Sequence, residues 1–358
     1  FRGTMHALRI SNSERYTGSF SPGQLSSDAD TIVCYDFTEG SGDVLKDVSG
    51  HGHDGKIVGA TWVSIGGDAQ QGPLTQREVA TQLIGMGFSI LCWDESGKVY
   101  SDIRTIDGLP DGEISVESVS HRLADAVSSP PVRVEDLDLL RKLPHLRQVH
   151  LVCQVLTKDY VVRLQNLNSL SGVSLYSIEP SAVTDSDLVP LFEKLDRPGF
   201  LNLTNLDVNG ECLESVRDLS GLTTLNVTES HRKTPSVRLF ETLKRAPELF
   251  HLDLSGCTLL PEHCAAIAEL PKVSRLYISN SDGISTQLGA FTKMSQLKEF
   301  YLGGCQLSAA NVSQLSQMKW LKILGIERSG LSESDVETIR EDLPNCRILS
   351  DYGKFEPQ

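Results

Sequence analysis

Six side chains that could take part in chemistry occur as three pairs, and the two members of each pair are two residues apart. The pairs are His251 with Asp253, Arg275 with Tyr277, and Glu299 with Tyr301, and each begins 24 residues after the one before. Side chains two apart share one side of a strand. Tyrosines beside arginine and acids are typical of a protein-binding hot spot. The alternative is an ordinary solvated sheet face with cross-strand pairs, such as Arg275 with Glu299 or with Asp253.

The same residues give little support to catalysis. His251 and Asp253 share a strand face, but no G-x-S-x-G motif and no catalytic cysteine motif accompanies them. The sequence has no P-loop and no kinase H-R-D or D-F-G signature. We therefore expect a non-enzymatic chain with no cofactor and no bound metal.

A leucine repeat must position these pairs. Leu249, Leu252, Leu254 and Cys257 define an L-x-x-L-x-L-x-x-C motif, which begins again at 273, 297 and 321. Because strand side chains alternate, the leucines should point inward, and the residues between them should form two outward columns. The expected first column is His150, Ser174, Asn202, Asn226, Asp253, Tyr277, Tyr301 and Gly325. The expected second column is Gln148, Gly172, Phe200, Thr224, His251, Arg275, Glu299 and Ile323.

Earlier repeats are less regular. They begin at Leu146, Leu170, Leu201 and Leu222, with insertions before the third and after the fourth. Polar residues such as Ser332 and Asp335 predict capped helices between the strands. Residues 114–350 resemble bacterial leucine-rich repeats. The resemblance implies an α/β fold, a curved solenoid with one strand and one helix per repeat, and strands along its concave face. Residues 351–358 form a polar C-terminal tail.

Two smaller regions precede the repeats. Thr75 and Glu78 predict a helix N-terminus, and apolar runs around Asp94–Gly97 predict a hairpin. Together, residues 75–113 resemble the N-terminal cap of repeat arrays in bacterial proteins, and a cap would cover the first repeat's apolar face. Residues 64–74 read as a linker, because they are rich in glycine and glutamine.

Residues 1–63 contain short apolar runs at 6–10, 30–37 and 57–63, separated by Gly, Asp and Ser. This pattern predicts an all-β fragment. The phrases 7–12 and 35–42 resemble laminin-G-like, concanavalin A-like jelly rolls, which implies possible glycan or calcium binding. From the residues themselves, we expect His51, His53, Asp43, Asp47 and Asp54 to form a turn whose aspartates bind local backbone groups.

The net charge and the cysteine spacing argue against several classes of partner and site. The net charge is −14 and the pI is about 5.1, which argues against binding to nucleic acid or to anionic membranes. No run of 18 apolar residues predicts membrane insertion. None of the eight cysteines forms a C-x-x-C pair. Cys257 and Cys305 alternate with Ser281 and Ser329 in one repeat position, so we expect small structural residues there.

Three functions stay open. The first is a protein-interaction module that binds a protein or peptide ligand on the concave face. The second is the C-terminal sensory or targeting region of a larger enzyme, such as a Ser/Thr protein kinase, whose catalytic domain lies upstream of Phe1. The third is glycan binding by residues 1–63. Localisation, whether cytoplasmic or at the cell surface, cannot be read, because a chain that begins with Phe1 suggests a truncated N-terminus.

Overall fold

The chain divides into two compact units, Phe1–Pro73 and Leu74–Gln358. The computed structural model describes residues 7–15, 27–39, 41–60, 62, 74–121, 131–167, 170–228 and 233–357. The predicted linker at 64–74 lies outside these residues except for its last position.

The first unit contains two small antiparallel pairs. Strand β1 (Leu8–Ser11) pairs with β2 (Thr31–Tyr35), and β3 (Val44–Leu45) pairs with β4 (Gly55–Lys56). The first two predicted strands are therefore present. The third, at 57–63, is wrong for residues 57–60 and 62, which carry no strand. Val58 is 83% exposed, so its apolar run has no core to bury against.

The second unit contains one sheet of 13 strands with helices between them. Ten consecutive strands, from Ile114–His121 to Arg347–Ser350, are parallel, and the strands at the two ends of the sheet are antiparallel. The strands are β5 (Phe88–Asp94), β6 (Val99–Ile103), β7 (Ile114–His121), β8 (Gln148–Cys153), β9 (Gly172–Ser177), β10 (Phe200–Thr204), β11 (Thr224–Thr228), β12 (His251–Asp253), β13 (Arg275–Tyr277), β14 (Glu299–Tyr301), β15 (Ile323–Gly325), β16 (Arg347–Ser350) and β17 (Gly353–Phe355).

The α-helices form one layer, in which each contacts a neighbouring α-helix or 3-10 segment. The α-helices are α1 (Gln76–Gly85), α2 (Lys158–Leu164), α3 (Asp185–Phe192), α4 (Val237–Leu243), α5 (Pro261–Ala268), α6 (Ile284–Gln287), α7 (Ala309–Ser316) and α8 (Glu333–Asp342). Segments of 3-10 helix at Val134–Lys142, Glu211–Ser215 and Leu288–Lys293 belong to the same layer, and a fourth lies at Ile106–Gly108.

Local hydrogen bonds start several helices where the sequence predicts. Thr75 accepts from the Glu78 backbone N–H at 3.2 Å, and Glu78 accepts from the Thr75 backbone N–H at 2.8 Å. Ser332 and Asp335 form the same reciprocal pair before α8. Each pair satisfies backbone donors that the first helical turn leaves unpaired.

The core lies between the sheet and the helix layer. Leu252, Leu276 and Phe300 stand opposite one another on successive strands, and all three are fully buried. Helix residues such as Ile267 and Leu315 belong to the same apolar cluster. The 24-residue period therefore places an equivalent side chain at the same depth of the core in every repeat. The longer spacing from Val173 to Leu201 does not disturb pairing, because these residues are still direct partners.

Antiparallel strands finish both ends of the parallel array. Strands β5 and β6 form the predicted hairpin after α1, and β5 also pairs with β7. At the other end, β17 pairs with β16 in the segment that the sequence suggests to be a polar tail. Phe355 lies under the Arg340 guanidinium, 5.0 Å from ring centroid to carbon, and Arg347 pairs with Glu356 at 2.9 Å. These contacts explain why a polar segment forms an ordered strand.

The small residues that follow each repeat strand are structural. Cys257 Sγ donates to the Val227 carbonyl at 3.3 Å, and Ser281 Oγ donates to the Leu254 carbonyl at 3.2 Å. Cys305 Sγ makes the equivalent bond to Ile278 at 3.0 Å. Each side chain thus joins its own repeat to a carbonyl of the preceding one. All eight cysteines are buried and unbridged, as expected for small core residues.

This position gives a stability prediction. Cys257→Ser keeps a small donor and should change the free energy of unfolding by less than about 1 kcal/mol. Cys257→Val removes the donor to Val227 and adds a branched side chain, and should cost about 1–3 kcal/mol. Urea unfolding of the full chain measures both. Equal stability of the valine variant and the unmodified chain would contradict the structural role.

Candidate functional site

The candidate site lies on the sheet face that points away from the leucine core, which we call the open face. It carries both expected columns, in the expected order. Asn226 pairs with Asp253, Asp253 with Tyr277, and Tyr277 with Tyr301 along the first column. The second column runs alongside it from Gln148 to Ile323, through all seven pairs of neighbouring strands from β8 to β15. The prediction of which side chains share a face is therefore confirmed.

Three aromatic rings form a continuous stack on this face. The His251 and Tyr277 ring centroids are 5.0 Å apart with planes 7° apart, and the Tyr277 and Tyr301 centroids are 4.1 Å apart with planes 12° apart. Neighbouring strands are about 4.8 Å apart, so rings on consecutive strands can stack directly. Burial and a hydrogen bond with Tyr301 raise the pKa of Tyr277, so its phenol stays protonated at neutral pH.

Glycine allows the last ring to lie flat. A Cβ added to Gly325 would stand 2.7 Å from the Tyr301 ring, so the ring occupies the space of the missing side chain. The Tyr301 ring therefore covers Gly325, the next residue of the first column, as well as its own position. The result is a broad planar surface rather than three separate side chains.

The charged residues beside the stack differ in how they are paired. Arg275 Nε donates to Glu299 Oε1 at 2.9 Å, which is one of the cross-strand pairs that the sequence suggests. The Arg275 guanidinium also lies over the Phe250 ring at 5.8 Å. Asp253 has no ion pair among the described residues. Its Oδ1 accepts the Ser255 backbone N–H at 2.9 Å, and the carboxylate also accepts a hydrogen bond from the Ser255 side chain.

Burial therefore controls the protonation of two neighbouring groups. Desolvation raises the pKa of Asp253, and the Ser255 hydrogen bonds and nearby His251 only partly offset it. Desolvation likewise lowers the pKa of His251, so its ring is neutral at pH 7 and stacks on Tyr277 without a charge. Asp253 is thus held in a position that disfavours its ionised form.

A second aromatic pair lies further along the open face and was not singled out by the sequence. Phe200 crosses strand β9 and stacks on His150, with centroids 4.8 Å apart and planes 13° apart. It can do so because Gly172 lies between them, where an added Cβ would meet the Phe200 ring at 2.2 Å. The sequence signal was the glycine at 172, which stands opposite Phe200 in the second column and leaves space for its ring to reach His150 in the first.

A cavity of about 450 Å³ opens beside this pair. It is lined by His150, Ser174, Gly199, Phe200, Leu201, Asn202, Thr223, Thr224 and Asn226. Asn226 is one of these lining residues. Asn226 Oδ1 is buried and accepts no hydrogen bond from the described residues. An amide oxygen in this condition is an acceptor that a ligand could use.

The other groups with chemical potential are engaged in the fold. Burial raises the pKa of Cys257 to about 12 and that of Cys305 to about 11, so neither thiol is a ready nucleophile. In the first unit, Asp47 accepts backbone N–H groups of Cys34, Ser49 and His53, as expected for a turn aspartate. Within the described residues, no group of three or more His, Cys, Asp or Glu side chains could hold a metal ion.

No helix among the described residues is long and apolar enough to cross a membrane.

The chain was compared with known proteins. No protein-family model matches it, and no curated protein sequence matches it. A chain in the crystal structure of a TLR13–ssRNA13 complex is similar at 18% identity with a TM-score of 0.40. The match covers 62% of this chain and 30% of that one. The RNA is a component of that complex.

The burial of Asp253 gives a prediction about pH. Its folded-state pKa is raised above 3.8, so the folded chain binds the proton more tightly than the unfolded chain. Stability should therefore fall as the pH rises from about 3.8 through the folded pKa. Asp253→Asn removes this penalty and should stabilise the full chain by about 1 kcal/mol at pH 7, with little gain at pH 3.

Thermal unfolding at several pH values measures this effect. Asp253→Ala is the matched control, because it removes the charge and also the acceptor for Ser255. It should gain less stability than the asparagine variant. A pH-independent difference between Asp253→Asn and the unmodified chain would show that the carboxylate is not desolvated.

Proposed function

We propose that the second unit is a leucine-rich-repeat module that binds a protein or peptide ligand on its open face. The observation that carries the proposal is the continuous stack of His251, Tyr277 and Tyr301 beside the Arg275–Glu299 pair. The strand spacing sets the positions of the rings, and the glycine at 325 leaves space for the last of them. These side chains therefore lose little conformational entropy when a ligand binds. Rigid aromatic residues of this kind supply most of the binding energy in protein interfaces.

The charge distribution favours a protein over a nucleic acid as partner. The chain has a net charge of −14, and the described stack is flanked by Asp253 and Glu299 as well as by Arg275. Nucleic-acid binding needs a surface that neutralises phosphates. A partner that presents apolar or aromatic groups with complementary charges suits the open face better.

The function can be tested by selecting ligands for the full chain from a displayed library of random 12-residue peptides. Selected peptides should bind the Tyr277→Ala/Tyr301→Ala variant at least tenfold more weakly, because two buried aromatic contacts of about 1–2 kcal/mol each are lost. Fluorescence anisotropy with labelled peptides measures the dissociation constants.

The control variant changes a tyrosine that lies away from the open face. Tyr160→Phe removes a hydroxyl that donates to Val132 between the helices and should leave peptide affinity unchanged. Equal binding of the selected peptides to the double-alanine variant and to the unmodified chain would remove the stack from the function.

A further inference from the structure

Two hydrogen-bond acceptors stand next to each other at the centre of the open face. Asn226 on β11 and Asp253 on β12 are direct partners in the parallel register. Asn226 Oδ1 accepts no hydrogen bond from the described residues, and Asp253 accepts hydrogen bonds only from Ser255 in its own turn. Since buried polar groups are almost always satisfied, the unsatisfied Asn226 oxygen beside a carboxylate without a described ion pair favours a donor supplied by a ligand.

The surroundings define what that donor should be. The acceptors are a carboxylate and an amide oxygen, which together match a cation with several N–H groups. The Tyr277 ring, on the strand after Asp253, is stacked on both faces by His251 and Tyr301, so the attraction for a cation comes from the two acceptors rather than from that ring. The chain's own nearby cation, Arg275, does not fill this role, because it pairs with Glu299 in the second column.

The Asn226 amide is able to respond to such a ligand. Asn226 is one of the residues that line the cavity beside Phe200, and no described hydrogen bond fixes the orientation of its amide. It can therefore rotate to direct its oxygen at a donor. The Asp253 carboxylate accepts hydrogen bonds only from Ser255 among the described residues, and its two oxygens have lone pairs left for a further donor.

The spacing of the strands suits an extended peptide. The cavity beside Phe200, the acceptor pair and the tyrosine stack follow one another along the face from β10 to β14. With about 4.8 Å between strands, the distance from Asn202 on β10 to Tyr277 on β13 is about 14 Å, or roughly four extended residues. One peptide segment could thus occupy the cavity and the stack and pass over the acceptor pair between them.

We propose that Asn226 and Asp253 form a subsite for an arginine or lysine side chain of an extended peptide, which crosses the strands between the Phe200 cavity and the tyrosine stack. The inference rests on the proposed binding function and names the chemistry of the ligand. The acidic chain would also favour the approach of a basic segment over distances of about a Debye length. The stability that an unpaired Asp253 costs in the free chain is recovered when the cation binds.

The test uses the selected 12-residue peptides that depend on Tyr277 and Tyr301. These peptides should be enriched in arginine or lysine. Replacing that residue by citrulline or acetyl-lysine, which keep the shape but remove the charge, should weaken binding to the full chain about tenfold. Against Asp253→Asn, the charged and neutral peptides should bind equally. Asn226→Ala should weaken the charged peptide several-fold.

The control is Glu193→Gln, which removes one negative charge from the exposed end of helix α3, away from the sheet. It should preserve the preference for the charged peptide. Loss of folding is not an explanation for weak binding to Asp253→Asn, because this variant should be more stable than the unmodified chain.

The possible results separate the two proposals. Peptides that depend on the tyrosines but bind equally well with citrulline would overturn the cation subsite and leave the binding face in place. A charge preference that survives in Asp253→Asn would also overturn it. Selected peptides that ignore the tyrosine substitutions would overturn the binding function of the stack itself.

Discussion

The parallel register of the strands is the constraint on which the rest of the second unit depends. Each repeat buries one strand side chain, such as Leu252, Leu276 or Phe300, at the same level of the core. Because strand side chains alternate, a slip of one residue would expose this row and bury the polar columns. Helix caps, the bonds from Cys257 and Ser281 to preceding repeats, and the antiparallel ends all maintain that register.

The same register creates the open face. Side chains that the core does not use are aligned at strand spacing, and aromatic residues at that spacing stack. Glycine positions then leave space for rings from the neighbouring strand: the Tyr301 ring lies over Gly325, and the Phe200 ring lies over Gly172. The face holds two aromatic groups with an acceptor pair between them. Burial raises the pKa of Asp253, so we expect its carboxylate to lower the stability of the folded chain at neutral pH.

Some of this could be predicted because it depends on local spacing. The columns follow from the two-residue alternation within strands, and the caps at Thr75 and Ser332 follow from short-range pairing. Strand β17 and the missing third strand of the first unit could not be predicted in this way. Phe355 is ordered by Arg340, which lies in a separate element, whereas the run around Val58 finds no core.

The sequence by itself determined the repeat period, the inward leucines and the order of residues along the open face, since all three depend on alternation and a 24-residue interval. Only the tertiary structure decided how those residues interact. It joined Arg275 to Glu299 rather than to Asp253, placed Phe200 over Gly172, and left Asn226 and Asp253 as neighbouring acceptors. The physical reason is that hydrogen bonding, ring stacking and desolvation depend on distances between strands, and a linear period does not specify those distances.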